Sequence, residues 1–171
     1  RVLNLFAYTG GATMACAKAG ASEVVHVDAS KGMVAWAKEN MQLSHLEDRK
    51  IRFIVDDVIK FLEREKRRGR TYHGIIMDPP SYGRGPNGEV WRLEDNLQEL
   101  LLKSRDVLDD EFSFLLINSY TTGVSPSSLN NIFLSVTISL NVCSTPSFIT
   151  FTISPLFTFI SGASISSTLI S

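Results

Sequence analysis

The first 133 residues alternate short apolar runs with helical stretches, and this alternation restricts the chain to very few folds. Residues 2–6, 23–27, 51–55, 73–77 and 112–117 read as strands, with near-continuous Val, Leu, Ile and Phe. Such runs suit strands buried on both faces of a parallel sheet. Between them, residues 12–19, 31–43, 93–108 and a stretch ending near 68 read as helices. Ser30 is placed as an N-cap, and Gly20 and Gly69 stand where two of the helices stop. The pattern predicts a Rossmann-like, doubly wound α/β fold with helices on both faces of a mostly parallel sheet.

In such a sheet, ligands bind outside the carboxyl ends of the strands. The polar and glycine-rich clusters fall at those ends. Tyr8-Thr9-Gly10-Gly11 follows the first strand, Asp28 the second, Asp56-Asp57 the third and Asp78-Pro79-Pro80 the fourth. One such cluster alone would be ordinary turn chemistry, but four in register are not. Gly10 and Gly11 permit close approach of the backbone to a ligand, ahead of a helix N-terminus with free N–H groups. Asp28 lies 17 residues beyond Gly11, near the spacing at which an acid meets ribose hydroxyls. The loop reads YTGGAT and lacks the GxGxxG dinucleotide spacing. These features indicate an adenosine-type cofactor, with NAD and S-adenosylmethionine both open. The cluster Asp78-Pro79-Pro80-Ser81-Tyr82 favours the latter, because a planar methyl acceptor must be held in line with the cofactor.

The segments VLNLFAYTGGATMACAKAGA, VVHVDASKGMVAWAKEN, FIVDDVIKFL and MDPPSYGRGPNGEVW resemble the bacterial class I S-adenosylmethionine-dependent methyltransferases of large-subunit ribosomal RNA, the cytosine-C5 and guanine-N7 enzymes among them. The resemblance covers residues 1–133. It implies that Phe6, Tyr8, Thr9, Gly10 and Gly11 line the methionine end of S-adenosylmethionine. It implies that Asp28 binds the ribose, with Ala29, Ser30 and Met33 beside the adenosine. Asp57 would accept from the adenine amino group, with Asp56 and Val58 alongside. Asp78 and Pro79 would sit by the transferring methyl, with Pro80 and Ser81 completing the catalytic cluster, and Tyr82 would stack on or gate a flipped base. The implied partner is RNA and the implied location is the cytoplasm, with no membrane association. Cytosine-C5 enzymes need a cysteine that attacks C6, often just after the fifth strand, where this chain has Asn118-Ser119-Tyr120. Cytosine-C5 chemistry is therefore unsupported; amino-methylating enzymes usually place an aromatic directly after the proline pair, where this chain has Ser81, so an exocyclic amine and a ring nitrogen both stay open. The rival readings are a nicotinamide-dependent oxidoreductase and a cofactor-binding fragment without turnover.

Charge sharpens these expectations in two ways. The formal net charge of −1 offers no global basic field to draw in a polyanion. The basic run at 64–70 (REKRRGR) reads first as a helix C-terminus, where cations are favoured, and second as a phosphate contact. All 35 Lys, Arg, Asp and Glu residues lie at or before Glu111, and 60 residues follow without one. At ordinary charged usage the chance of that is on the order of 10⁻⁸. Residues 134–171 are accordingly read as a non-native or disordered tail; a membrane segment and two late strands are the alternatives. The absence of an initial Met, and a start on a core strand, lead us to expect a domain incomplete at both ends. Two cysteines, Cys16 and Cys143, cannot frame a disulfide scaffold, and a reducing compartment follows. His26 reads as a satisfied core residue and Cys16 as packing. No histidine has a partner at metal-ligand spacing, so no metal is expected. Arg84 and Trp91 flank the loop after the proline pair and divide evenly between binding the acceptor and anchoring the loop.

Overall fold

The computed structural model describes residues 1–84, 90–110 and 113–118, together with the backbone of strands at 143–145 and 148–153. Strands β1 (Val2–Leu5), β2 (Val24–Asp28), β3 (Ile51–Val55), β4 (Gly74–Met77) and β7 (Ser113–Asn118) are parallel neighbours in the order β3-β2-β1-β4-β7. The chain winds outward from β1 to β3, then returns to place β4 on the other side of β1. That reversal opens a crevice at the carboxyl ends of β1 and β4, where ligands of doubly wound sheets bind.

Helices α1 (Gly11–Lys18), α2 (Lys31–Leu43), α3 (Val58–Arg67) and α4 (Leu93–Arg105) cover the sheet. Alternate strand residues divide between its two faces. Leu3, Leu5, Val25, Val27, Ile75, Met77, Leu115 and Ile117 point to one face, where Phe61 and Leu62 of α3 and Leu97, Leu100 and Leu101 of α4 close the main core. On the opposite face Met14 and Ala17 of α1 pack with Val24 and Leu46 in a smaller cluster. Each fully buried leucine of the main core contributes about 1.5–3 kcal/mol of hydrophobic stabilisation, so the α3–α4 face dominates.

The helix ends follow from their residues. The Ser30 hydroxyl accepts from the Met33 N–H at 3.4 Å, and the Asp57 carboxylate accepts from the Lys60 N–H at 2.9 Å. Gly69, at φ 62°, carries the chain out of α3 in a left-handed conformation that costs a side chain more. The basic run is mostly occupied: Arg64 pairs with Asp56, Lys66 with Asp106 and Arg68 with buried Glu65. This accords with the helix-terminus reading of that run.

Two findings depart from the sequence-based expectations. Residues 82–84 and 90–92, expected as loop, form an antiparallel pair, β5 (Tyr82–Arg84) with β6 (Val90–Arg92). In the uncharged tail, β8 (Cys143–Thr145) and β9 (Phe148–Ile153) are strands, with β9 antiparallel to β7 and β8 outside it. These are the two late strands weighed as an alternative for the tail, and β-branched and aromatic residues favour them. The remainder of the tail lies outside the described residues. Among the described residues, no helix is long and apolar enough to cross a membrane.

Candidate cofactor and catalytic site

The β1–α1 connection is the most constrained segment of the crevice. Phe6 and Tyr8 hold positive φ angles of 52° and 49°, and Gly10 one of 87°. Left-handed backbone is costly for an aromatic residue, and such strain concentrates at binding sites. A Cβ at Gly10 would lie 3.1 Å from the Met14 methyl and 3.2 Å from Ala37, so a side chain is disfavoured there both by the backbone conformation and by crowding. Gly10 also serves as N-cap of α1 and supplies no side-chain acceptor, which leaves first-turn N–H groups of α1 available to an anion.

Asp28 ties two loops together. Its Oδ2 accepts from the Tyr8 N–H and its Oδ1 from the Ser30 N–H, each at 2.8 Å. A carboxylate offers about four acceptor positions, so each oxygen retains capacity for a ligand hydroxyl. Asn40 of α2 donates to the Thr9 carbonyl at 2.9 Å and fixes the far side of the same loop.

Two cavities meet over this frame. The larger, about 520 Å³, is lined by Phe6, Tyr8, Asp28, Ala29, Ser30, Asp57, Val58, Asp78, Pro79, Pro80 and Ser81, with Gly83, Arg84 and Trp91 on its outer side. The smaller, about 360 Å³, is lined by Thr9, Gly10, Gly11 and Ala12, by Asn118, and again by Phe6, Tyr8 and Asp78. Asp78 thus belongs to both. A nucleoside with a diol and a polar amino-acid end suits this pair: Asp28 faces the first cavity and the uncapped start of α1 the second.

Residues 1–111 match the model of the S-adenosylmethionine-dependent methyltransferase family. The chain belongs to that family. Among its relatives is the ribosomal RNA large subunit methyltransferase I of Cronobacter sakazakii, 40% identical over 82 residues, which are 48% of this chain and 21% of that protein. The protein of the same name from Escherichia coli O139:H28 is 42% identical over a segment of the same size and coverage. The chain therefore matches about a fifth of the length of these curated relatives. A solved structure of an S-adenosylmethionine-dependent methyltransferase from Agrobacterium tumefaciens is 36% identical, with a TM-score of 0.78 over 91% of this chain and 56% of that one.

Against this methyltransferase frame, most residues expected at the site stand together, and three do not. Asp56 does not line either cavity: its carboxylate pairs with Arg64 and caps the Asp57 N–H, because α3 starts one residue too late to use it. Asp57 takes the N-cap position and faces the larger cavity. Met33 lies a turn into α2, beyond the Ser30 cap, and is absent from both linings. Tyr82 is 55% exposed and also outside the lining. It alternates with Gly83, whose hairpin partner Trp91 turns inward, so Tyr82 faces out with Val90 and Arg92, while Arg84 borders the cavity rim.

Trp91 anchors the loop after the proline pair and stands in the cavity wall. Its indole N–H donates to the Pro80 carbonyl at 2.7 Å and its ring packs 5.0 Å from that of Phe6, so it anchors the hairpin while walling the cavity. One participant has no local sequence signal: Asn118, at the end of β7, hydrogen-bonds to Asp78. Burial pushes the Asp78 carboxyl above its usual range, and that hydrogen bond opposes the shift. Beneath the glycine loop, Asn4 Nδ2 donates to Thr13 Oγ1, which also bonds His26 Nδ1, both at 2.9 Å. His26 is only half satisfied, since its Nε2 is buried without a partner among the described residues. Burial lowers its pKa to about 4, with Asp28 acting weakly in the opposite sense. Cys16 is half-buried beside the smaller core cluster and its thiol is pushed up by burial, which makes it unreactive.

Proposed function

We propose that the protein transfers a methyl group from S-adenosylmethionine to a base of ribosomal RNA, at a nitrogen and by direct in-line displacement. The observation that carries this reading is Asp78, the one acidic residue common to the two adjoining cavities. Bound, the cofactor supplies an electrophilic sulfonium methyl. Asp28 would take the ribose hydroxyls with its remaining lone pairs, and Asp57 would meet the adenine edge beside Val58. The α1 N-terminus would take the carboxylate of the amino-acid end.

Pro79 and Pro80 hold the backbone after β4 rigid, so an acceptor base entering the larger cavity meets a fixed wall. The Pro80 carbonyl is already engaged by Trp91, leaving Asp78 and the Pro79 carbonyl to orient an N–H of the base. Positioning of this kind supplies much of the rate in a transfer that needs no covalent intermediate. From the end of β7 the sequence reads Asn118-Ser119-Tyr120, with no cysteine where cytosine-C5 enzymes often place one, which supports nitrogen over cytosine C5.

RNA as the acceptor is supported by the names of the curated relatives and by the hairpin at the cavity mouth. Its outer face presents Tyr82 and Arg92, with Arg84 at the cavity rim: two guanidinium groups and an aromatic ring of the kind that single-stranded RNA binders use. A cytoplasmic reaction, without membrane attachment, goes with this reading. Transfer of tritium from methyl-labelled cofactor to an unmodified large-subunit ribosomal RNA transcript tests it. Label in RNA and not in a protein pool is expected; label in protein alone would refute the RNA assignment.

A further inference from the structure

Three carboxylates, those of Asp28, Asp57 and Asp78, line the larger cavity, and the one basic side chain in its lining is Arg84, at the rim. Among the described residues the Arg84 guanidinium makes no ion pair and no hydrogen bond, whereas Arg64 and Arg68 are each paired with an acid. Arg84 does not line the smaller cavity, at the start of α1. The backbone that carries it is pinned beside the proline pair. The Trp91 indole N–H donates to the Pro80 carbonyl at 2.7 Å, and the Trp91 ring packs 5.0 Å from that of Phe6. The Leu93 N–H donates to the Ser81 carbonyl at 3.0 Å, which closes the base of the hairpin. A cation is thus held at a set offset from Asp78, with its donors free.

We propose that Arg84 holds the phosphodiester group of the acceptor nucleotide at the cavity mouth, and so fixes how far its base reaches toward Asp78; the nucleotide as occupant rests on the RNA reading above. A base that enters the cavity draws its sugar and phosphate behind it. The phosphate is an anion, and the carboxylates further in repel it, so it stays at the mouth, where the cation stands. A guanidinium presents a planar fork of N–H donors from which two phosphate oxygens accept, and it stays charged at any working pH. The hairpin then divides its contacts. Tyr82 and Arg92 face outward and meet RNA that flanks the site, whereas Arg84 meets the nucleotide that is methylated. Its contact positions that nucleotide and reads no sequence, because the phosphate is common to all four.

Methylation kinetics on the large-subunit ribosomal RNA transcript, and binding of that transcript to the S-adenosylhomocysteine complex, test this together. Arg84→Ala is expected to lower kcat/KM about ten- to a hundredfold, the range of one charge-assisted contact, with part of the loss in kcat at saturating transcript. It is also expected to lower the slope of log affinity against log salt by about 0.7, one phosphate contact. Arg84→Lys, which keeps a point charge and loses the fork, should restore that slope and most of kcat/KM. Calorimetric titration should give both variants the wild-type affinity for S-adenosylhomocysteine. The proposal is overturned if Arg84→Ala methylates the transcript as wild type does, if its loss is confined to KM, or if it weakens S-adenosylhomocysteine as much as RNA. It is equally overturned if Arg84→Lys, shown to be folded by thermal melting, is as slow as Arg84→Ala, since the fork would then be reading a base edge. Wild-type protein that placed label in no RNA would instead overturn the RNA reading, and this contact with it.

Discussion

The buried His26 makes acid stability a quantitative test of the network beneath the cofactor loop. Folded, the imidazole has a pKa of about 4, against 6.5 when solvated, because burial disfavours its cation. Only the neutral ring is compatible with the native state above pH 4, so stability contributed by this site is complete above pH 6.5. It is lost as the pH falls through the window from 6.5 to 4, where the unfolded chain takes up a proton and the folded chain does not. The total is the pKa difference at 1.36 kcal/mol per unit, on the order of 3 kcal/mol, of which roughly 2 kcal/mol has gone by pH 5. Since a domain of this size is stabilised by about 5–15 kcal/mol in all, the effect is measurable by urea unfolding at a series of pH values. His26→Gln, which cannot titrate, removes the histidine contribution to that slope. The wild-type curve should fall more steeply than the variant curve between pH 6.5 and 4, and the two should run parallel above pH 7. Parallel curves across the whole range would show that His26 titrates normally, and that the Asn4–Thr13–His26 chain is not sealed from water.

Further tests address the loop and the mouth of the site. Gly10→Ala must hold a left-handed backbone at about 1–2 kcal/mol and press a methyl against Met14 and Ala37, so denaturant titration should show a loss of about 2 kcal/mol. A loss of a few tenths would mean that the loop relaxes freely. Arg92→Ala and Tyr82→Ala, both outside the cavity linings, should weaken binding of a single-stranded RNA oligonucleotide while leaving S-adenosylhomocysteine affinity unchanged. Arg92→Ala should also lower the slope of log affinity against log salt by about 0.7, one phosphate contact. Unchanged RNA affinity and salt slope in both variants would remove the hairpin from the RNA path.

The strand and helix frame was legible because long buried parallel strands and capped helices leave strong local patterns. The five parallel strands lie within a residue or two of their expected bounds, and Ser30 caps α2 as its position before the helix implied. The acids at strand ends were legible for the same reason, since a doubly wound sheet has only one ligand edge. The hairpin was not legible, because three-residue strands such as YGR and VWR cannot outweigh the glycines and proline of the intervening segment. Asp56 and Asp57 are chemically identical neighbours, and only the point at which α3 begins decides which faces the cavity. Asn118 was missed as a site residue because its importance arises from the pairing of β4 with β7, a contact made 40 residues apart in the chain. The two late strands were obscured by a composition with no charges, which carries β propensity but no amphipathic period.

Calorimetric titration of the wild type and Asp28→Ala with S-adenosylmethionine and with NAD asks whether Asp28 and its neighbours hold S-adenosylmethionine. The wild type is expected to bind S-adenosylmethionine and not NAD. Asp28→Ala, which loses both loop tethers and the acceptors for the ribose, is expected to bind at least tenfold more weakly. Tight binding of NAD with no response to S-adenosylmethionine, or an Asp28→Ala variant that binds the cofactor as the wild type does, would contradict that assignment.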